Sequence, residues 1–208
     1  MKISYAITVC NEFVEIQRLI NFLLKNKRQE DEIVVLYDQS HGDPEIESFL
    51  RSSSINNEFK WYPDNFENHF ADWKNKLTSL CSGDYIFQID ADELPTTKLV
   101  DLLPHIIQQN VDIVLVPRSN TVKGLTDEHI KKWGWSIDNL NRVNWPDYQW
   151  RIYRNCPEIK WVNKVHEKLE GFKTYSTLPS DMSLGAVYLN HPKTIEKQEK
   201  QNNLYDNL

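Results

Sequence analysis

The chain has 208 residues, of which 40% are hydrophobic and 26% charged, and carries a net charge of −6 at neutral pH. That length suffices for one well-buried soluble domain, and the acidic balance argues against nucleic-acid binding through bulk electrostatics. No apolar run reaches membrane-span length and no secretion signal opens the sequence; three widely spaced cysteines, Cys10, Cys81 and Cys156, predict reduced thiols in a cytoplasmic protein and no cysteine zinc site.

Residues Ile3 to Cys10 predict a buried strand. Phe13, Ile16, Leu19, Ile20, Leu23 and Leu24 then recur at helical spacing, with Asn11 as the expected cap. Glu32 to Tyr37 predicts a second buried strand ending in Asp38-Gln39-Ser40, followed by a turn at His41-Gly42-Asp43-Pro44 and a helix from Pro44 to Leu50. Phe59 to Tyr62 is a brief third strand, Phe70 to Leu80 a helix, and Tyr85 to Ile89 a fourth strand opened by Gly83-Asp84. Strands alternating with helices imply a parallel sheet with right-handed crossovers, whose ligands bind beyond the carboxyl ends of the strands. Asn11, Asp38 and Asp90 each stand just past such an end.

The fourth strand runs into Asp90-Ala91-Asp92-Glu93, and Pro95 is expected to stop further sheet pairing. Two aspartates separated by one small residue suit a hard divalent cation, and such a cation neutralises phosphates. The same acids also suit the N-terminus of a helix starting near Pro95. On the residues alone, both readings stand.

Beyond Pro95 the pattern predicts a helix over Leu99 to Gln109 and a strand over Val111 to Val116, closed by Pro117. Arg118 to Asp147 shows little periodicity and reads as a long loop or loose helices, a kind of segment that is usually functional. Gln149 to Arg154 and Ile159 to Val162 read as a hairpin, and Lys164 to Leu169 as a strand carrying His166 and Glu167. Val187 to Pro192 is the last strand, before a polar helix from Lys193. Of seven tryptophans, five fall between Trp133 and Trp161. Trp133, Trp135, Trp145 and Trp150 suit either stacking on acceptor sugars or a lid packed over the sheet.

In their order and spacing these pieces resemble family 2 glycosyltransferases of the GT-A fold. The resemblance implies an α/β chain with a Rossmann-like, mostly parallel central sheet flanked by helices and a smaller mixed β region on the acceptor side. Residues 1–208 then form a single domain, with 1–95 as the nucleotide-sugar-binding half and 96–208 as the acceptor-side half, a unit that a longer protein can contain. By the same resemblance, Thr8 and Cys10-Asn11-Glu12 lie against the nucleotide base, and Asp38 binds uracil or ribose. Lys74-Asn75 stands where members carry Arg-Asn, and Lys keeps the charge but loses the bidentate fork. Asp90-Ala91-Asp92 matches the DxD motif: Asp90 and Ala91 border the donor, and Asp90 and above all Asp92 bind Mn²⁺ or Mg²⁺. Gln149 to Arg154, Val165-His166-Glu167 and Asn190-His191-Pro192 resemble a subset of the family, and because some glycosyltransferases of this fold use a late histidine as a metal ligand, the resemblance makes His191 a candidate further ligand.

The implied activity is metal-dependent transfer of a sugar from a nucleotide-diphosphate sugar, a UDP-sugar being favoured. The acceptor is a hydroxyl of a glycan, lipid-linked or protein acceptor, with inversion, in polysaccharide biosynthesis. The alternative is a non-catalytic nucleotide-sugar or glycan binding module of the same fold. A nucleotidyltransferase would carry a Gly-rich basic loop after the first strand, which Cys10-Asn11-Glu12-Phe13 is not.

The acceptor hydroxyl needs a base, and Glu167 and Asp147 compete for that role. Val162, Val165 and Leu169 predict a buried strand around Glu167, where burial would raise its pKa; a structural ion pair is the competing reading. On such a strand His166 would point to the opposite face. Asp147 lies in the looser segment after Pro146.

Overall fold

The first half of the chain alternates strand and helix as its periodicity predicts. In the computed structural model, which describes residues 1–56, 58–181, 183 and 185–206, β1 (Ile3–Val9), β2 (Glu32–Asp38), β3 (Lys60–Asp64) and β4 (Tyr85–Asp90) run parallel. They are joined by α1 (Phe13–Asn26), α2 (Pro44–Ser53) and α3 (Phe70–Ser79). The second half supplies β5 (Leu94–Pro95), α4 (Thr97–Gln108), β6 (Ile113–Lys123), α5 (Asp127–Trp133), β7 (Val143–Arg154), β8 (Lys160–Val162), β9 (Lys168–Glu170), β10 (Tyr175–Thr177), β11 (Leu189–Thr194) and α6 (Ile195–Asp206). The main sheet is ordered β3-β2-β1-β4-β7-β6-β11-β5, with β10 also paired to β6. It is mostly parallel; β7 runs antiparallel between β4 and β6. Among the described residues no helix is long and apolar enough to cross a membrane.

Period-2 alternation sorts the strand residues onto two apolar faces. Tyr5, Ile7, Val35, Phe87 and Ile89 join Leu19, Leu23 and Leu103 in one buried cluster. Ala6, Val34, Leu36 and Ile86 join Ala71, Trp73 and Leu77 of α3, with Trp161 and Leu169, in the other. The chain moves from β1 outward to β2 and β3, then crosses to β4 on the other side of β1. That reversal opens a crevice beyond the carboxyl ends of β1 and β4, where Thr8 and Asp90 stand opposite one another in register.

Several expectations for the second half are corrected. Pro95 does not end sheet pairing: it lies opposite Leu189 in β5, an edge strand, where a missing N–H is tolerated. Pro117 does not close β6, which continues to Lys123. Along that edge β10 pairs only as far as Leu115 and β11 takes over at Arg118, so Pro117 falls in the gap. Much of the segment expected as a loop is therefore the far end of β6, α5 and the start of β7. Nor do Gln149 to Arg154 and Ile159 to Val162 form a hairpin. Both edges of β7 are already occupied by β4 and β6, so β8 pairs with β9 in a separate two-stranded sheet.

The strand expected over Lys164 to Leu169 shrinks to β9. Asn163 (φ 76°) and His166 (φ 54°) adopt left-handed backbone conformations that an extended strand excludes. Finally, Asn11 is not the cap of α1. The cap position belongs to Glu12, whose carboxylate instead folds back to accept from the Cys10 and Asn11 N–H groups at 3.0 and 3.1 Å.

Candidate active site

The turn after β4 is built by its own backbone: Glu93 N–H donates to the Asp90 carbonyl, and Ala91 N–H to that of Thr8. The acids do not cap the next helix. Thr96 is the N-cap of α4 and accepts from Leu99 N–H. The helix-cap reading of Asp90 to Glu93 is thereby displaced, and their carboxylates are turned to other partners.

Asp90 is held by an arginine. Its Oδ2 accepts from Arg151 Nη2 at 2.6 Å, and its Oδ1 from Gln88 at 2.9 Å. Arg151 also donates to Gln88 Oε1 and to Glu93 Oε1, both at 2.5 Å. Two residues of β7, Trp150 and Arg151, stand against the single Leu115 of β6, and the register resumes at Ile152. Arg151 is thus a β-bulge residue, the kind that re-aims a side chain near a site. Its Nε is buried without a hydrogen-bond partner among the described residues. Burial alone would raise the Asp90 pKa, but the charges of Arg151 and then Lys74 hold it well below the ordinary carboxylate value.

Glu93, fully buried, accepts from Arg118 as well, at 3.0 Å on the same Oε1. Arg118 in turn donates through Nε and Nη2 to Asp147 Oδ2 at 3.0 and 2.7 Å. A continuous chain of charges, Asp90–Arg151–Glu93–Arg118–Asp147, therefore runs from the turn after β4 to the middle of β7. In the sequence Glu93 reads only as one of the acids ahead of a helix, and Arg118 and Arg151 carry no role of their own. The period-2 placing of Arg118 and Asn120 on one strand was a usable signal, but it was masked by the assumption that Pro117 ended β6.

Asp92 faces His191, which reaches it from β11 with Nε2 3.4 Å from Asp92 Oδ2. Asn120 fixes the tautomer. Its Nδ2 donates to Asp147 Oδ2 at 2.8 Å, so its Oδ1 is the atom 2.7 Å from His191 Nδ1. Nδ1 must then carry the proton, and burial pushes the His191 pKa down, towards the neutral ring. Nε2 is the ring nitrogen left to face Asp92, whose pKa is lowered to about 2; burial opposes that shift, and the hydrogen bond and charge of His191, when protonated, favour it. An imidazole nitrogen and a carboxylate oxygen so placed share a proton, or a metal ion when the ring is neutral. Among the described residues no three His, Cys, Asp or Glu side chains form a complete metal-holding group. A site that takes phosphate oxygens and water for its remaining ligands needs no more than one or two protein groups, so Asp92 and His191 fit a divalent cation, whereas Asp90 is taken by Arg151.

Asp147 and His191 both line a cavity of about 190 Å³. Among the described residues Asp147 Oδ2 accepts three hydrogen bonds, but Oδ1 accepts only one, from Gln149 Nε2 at 2.7 Å. Burial would raise its pKa, yet Arg118 and the Asn120 hydrogen bond bring it below the ordinary value. Glu167 does not line this cavity. It lies in the loop before β9 and pairs with buried Lys74 at 3.0 Å, while the Lys74 ammonium sits 4.7 Å from the centre of the Trp161 ring.

Asp38, buried at the end of β2, shapes its own loop. It accepts from Ser40 N–H, Ser40 Oγ and Phe66 N–H on Oδ1, while exposed His41 stands 3.0 Å from Oδ2. A Cβ on Gly42 would meet the Asp38 carbonyl at 2.1 Å, which is why glycine sits there. Cys10 Sγ lies 3.7 Å from Asp38 Oδ2. Thr8 borders Asp90, its hydroxyl 3.4 Å from Oδ1, and Asn11 is exposed beyond β1. Trp150 packs on Phe172, and Trp145 lies between Arg142 and Tyr188.

Residues 4–185 match the family described as Glycosyl transferase family 2. No curated protein matches the sequence. Among solved structures, S. aureus TarS 1-349 superposes with a TM-score of 0.61 at 16% identity, over 92% of this chain and 60% of that one. TarS 1-349 in complex with UDP-GlcNAc gives 0.59 at 17%, over 93% and 59%. These likenesses show the fold, and the chain spans about 60% of the length of TarS 1-349.

Proposed function

Since the chain belongs to glycosyl transferase family 2, we propose that it transfers a sugar from a UDP-sugar to an acceptor hydroxyl, with a divalent cation and with inversion. The observation that carries this reading is the pair of metal-ligating side chains, Asp92 and His191, 3.4 Å apart beyond the carboxyl end of β4. The UDP-GlcNAc and UDP bound in the TarS 1-349 structures support a UDP-sugar as donor. Mn²⁺ or Mg²⁺ held by Asp92 and His191 would offset the charge of the leaving diphosphate. Thr8 and the Asp38 side of the crevice line the nucleotide end, and Arg151 keeps Asp90 ionised and fixed in place.

Asp147 is the base in this reading. As the acceptor oxygen bonds to the anomeric carbon, the bond from that carbon to the diphosphate breaks, and the hydroxyl proton passes to Asp147 Oδ1. A carboxylate with a lowered pKa is a weak base, so the proton moves late, once the attacking oxygen has become acidic. Asp90 and Glu93, both tied to arginines, are poorly suited to act as covalent nucleophiles, which favours a single displacement. The case for Glu167 rested on a buried strand that is a loop, and its carboxylate neutralises Lys74.

Thermal shift with UDP, GDP and CMP, each with and without Mn²⁺, tests the donor side. Stabilisation by UDP that grows with Mn²⁺ is expected; equal, metal-independent responses to all three nucleotides would contradict it.

A further inference from the structure

The cavity beside Asp147 has hydrogen-bonding capacity that the protein leaves unused. Asn144 Oδ1 accepts from the Ser136 N–H and hydroxyl, while among the described residues its Nδ2 has no partner. Lys193 donates to Gln201 and has further N–H groups. Gln198 donates through Nε2 to Asn202, which leaves its Oε1 as an acceptor. Asp147 Oδ1 has a lone pair to spare. These four residues share the cavity with the indole of Trp135. Trp133 supports that indole at 4.7 Å between ring centroids, and His129 stacks on Trp133 at 5.2 Å.

We propose that this cavity is a monosaccharide subsite: it binds one pyranose ring of a glycan acceptor, stacked on Trp135, and presents one of its hydroxyls to Asp147. The inference rests on the assignment of Asp147 above. Each sugar hydroxyl both donates and accepts, so a ring of hydroxyls matches a wall that mixes spare donors (Asn144, Lys193) with spare acceptors (Gln198, Asp147). A phosphate or carboxylate would leave both acceptors unmatched and place negative charge against Asp147. A serine hydroxyl of a peptide would use Asp147 alone, and a lipid chain would meet polar walls. The apolar face of a sugar ring suits an indole, a large rigid surface that costs little conformational entropy to order. Of the tryptophans that suggested stacking, Trp135 alone lines this cavity; Trp145 and Trp150 are engaged elsewhere.

The test is saturation-transfer NMR on the full chain with UDP and diamagnetic Mg²⁺, using as probes the methyl glycosides of glucose, galactose, mannose, N-acetylglucosamine and N-acetylgalactosamine, with a serine peptide and an alkyl alcohol beside them. At least one should receive saturation, strongest on the ring protons of one face. The signal should fall several-fold in Trp135→Ala and in Asn144→Ala, and persist in Trp135→Phe, which keeps an aromatic face and controls for folding. UDP binding, measured in the same samples by calorimetry, separates failure of the donor reading from failure of the subsite. Glycoside signals that are absent, or equal in wild type and Trp135→Ala, would overturn the proposal, as would saturation of a serine peptide or an alkyl alcohol in place of every glycoside.

Discussion

His191 Nε2 and Asp92 Oδ2 stand 3.4 Å apart, with His191 Nδ1 committed to Asn120. In the proposed reaction this pair holds the divalent cation. Asp92→Asn replaces one acceptor with a group that can donate, so the protein should fold normally while the Mn²⁺-dependent gain in UDP affinity disappears. Titration calorimetry with and without Mn²⁺ checks this; an undiminished gain in the variant would remove Asp92 from the metal site. His191→Ala should weaken the same gain.

Asp147 and Glu167 are separated by paired conservative substitutions. Asp147→Asn should lower sugar transfer by about two to four orders of magnitude with UDP affinity intact. Glu167→Gln should lower transfer by less than about tenfold, and its main effect should be on stability, since buried Lys74 loses its partner. The opposite pattern in initial rates would return the base to Glu167.

Glu93 joins the two halves of the site, because Arg151 and Arg118 both donate to its Oε1. Removing one member of a buried ion pair leaves uncompensated charge and costs about 3 to 5 kcal/mol. Glu93→Gln should therefore shift the urea midpoint by a stability loss of that size. A loss under about 1 kcal/mol, the range of an exposed pair, would mean that water or a rearranged arginine already compensates it.

Glu32 sets part of the acid limb. Its carboxylate accepts from Ser4 Oγ, Ser82 N–H and Ser82 Oγ and pairs with Lys60 and Lys2. Burial opposes ionisation, but these partners lower the pKa well below its ordinary 4.5. A depressed folded-state pKa means that the contribution is fully present above the unfolded value and is lost as pH falls through the folded one. Glu32→Gln should cost about 2 kcal/mol at pH 7, with the gap from wild type narrowing steadily below about pH 4.5. A gap that stays constant down to pH 3 would assign the effect to packing.

The first half was legible in the sequence because its strands are buried, its helices amphipathic and its connections short. Asp38 and Asp90 close their strands and Asp92 follows at once, because alternating strands and helices leave them no other place. The second half was not, for local reasons. Pro95 and Pro117 read as terminators, yet one pairs on an edge strand and the other sits where two neighbouring strands change over. Asn163 and His166 break a run that composition alone reads as strand. Arg151 reaches Asp90 only through a bulge, and a one-residue register shift leaves no mark in a single sequence.

Release of UDP from a panel of UDP-sugars, measured with and without Mn²⁺ and with methyl glycosides as acceptors, tests the proposed sugar transfer most directly. At least one UDP-sugar should be consumed in a Mn²⁺-dependent reaction that a methyl glycoside accelerates and that Asp147→Asn suppresses. If UDP binds with Mn²⁺ but no UDP-sugar is turned over with any acceptor, the chain is a nucleotide-sugar binding module of the same fold and Asp147 is not a base.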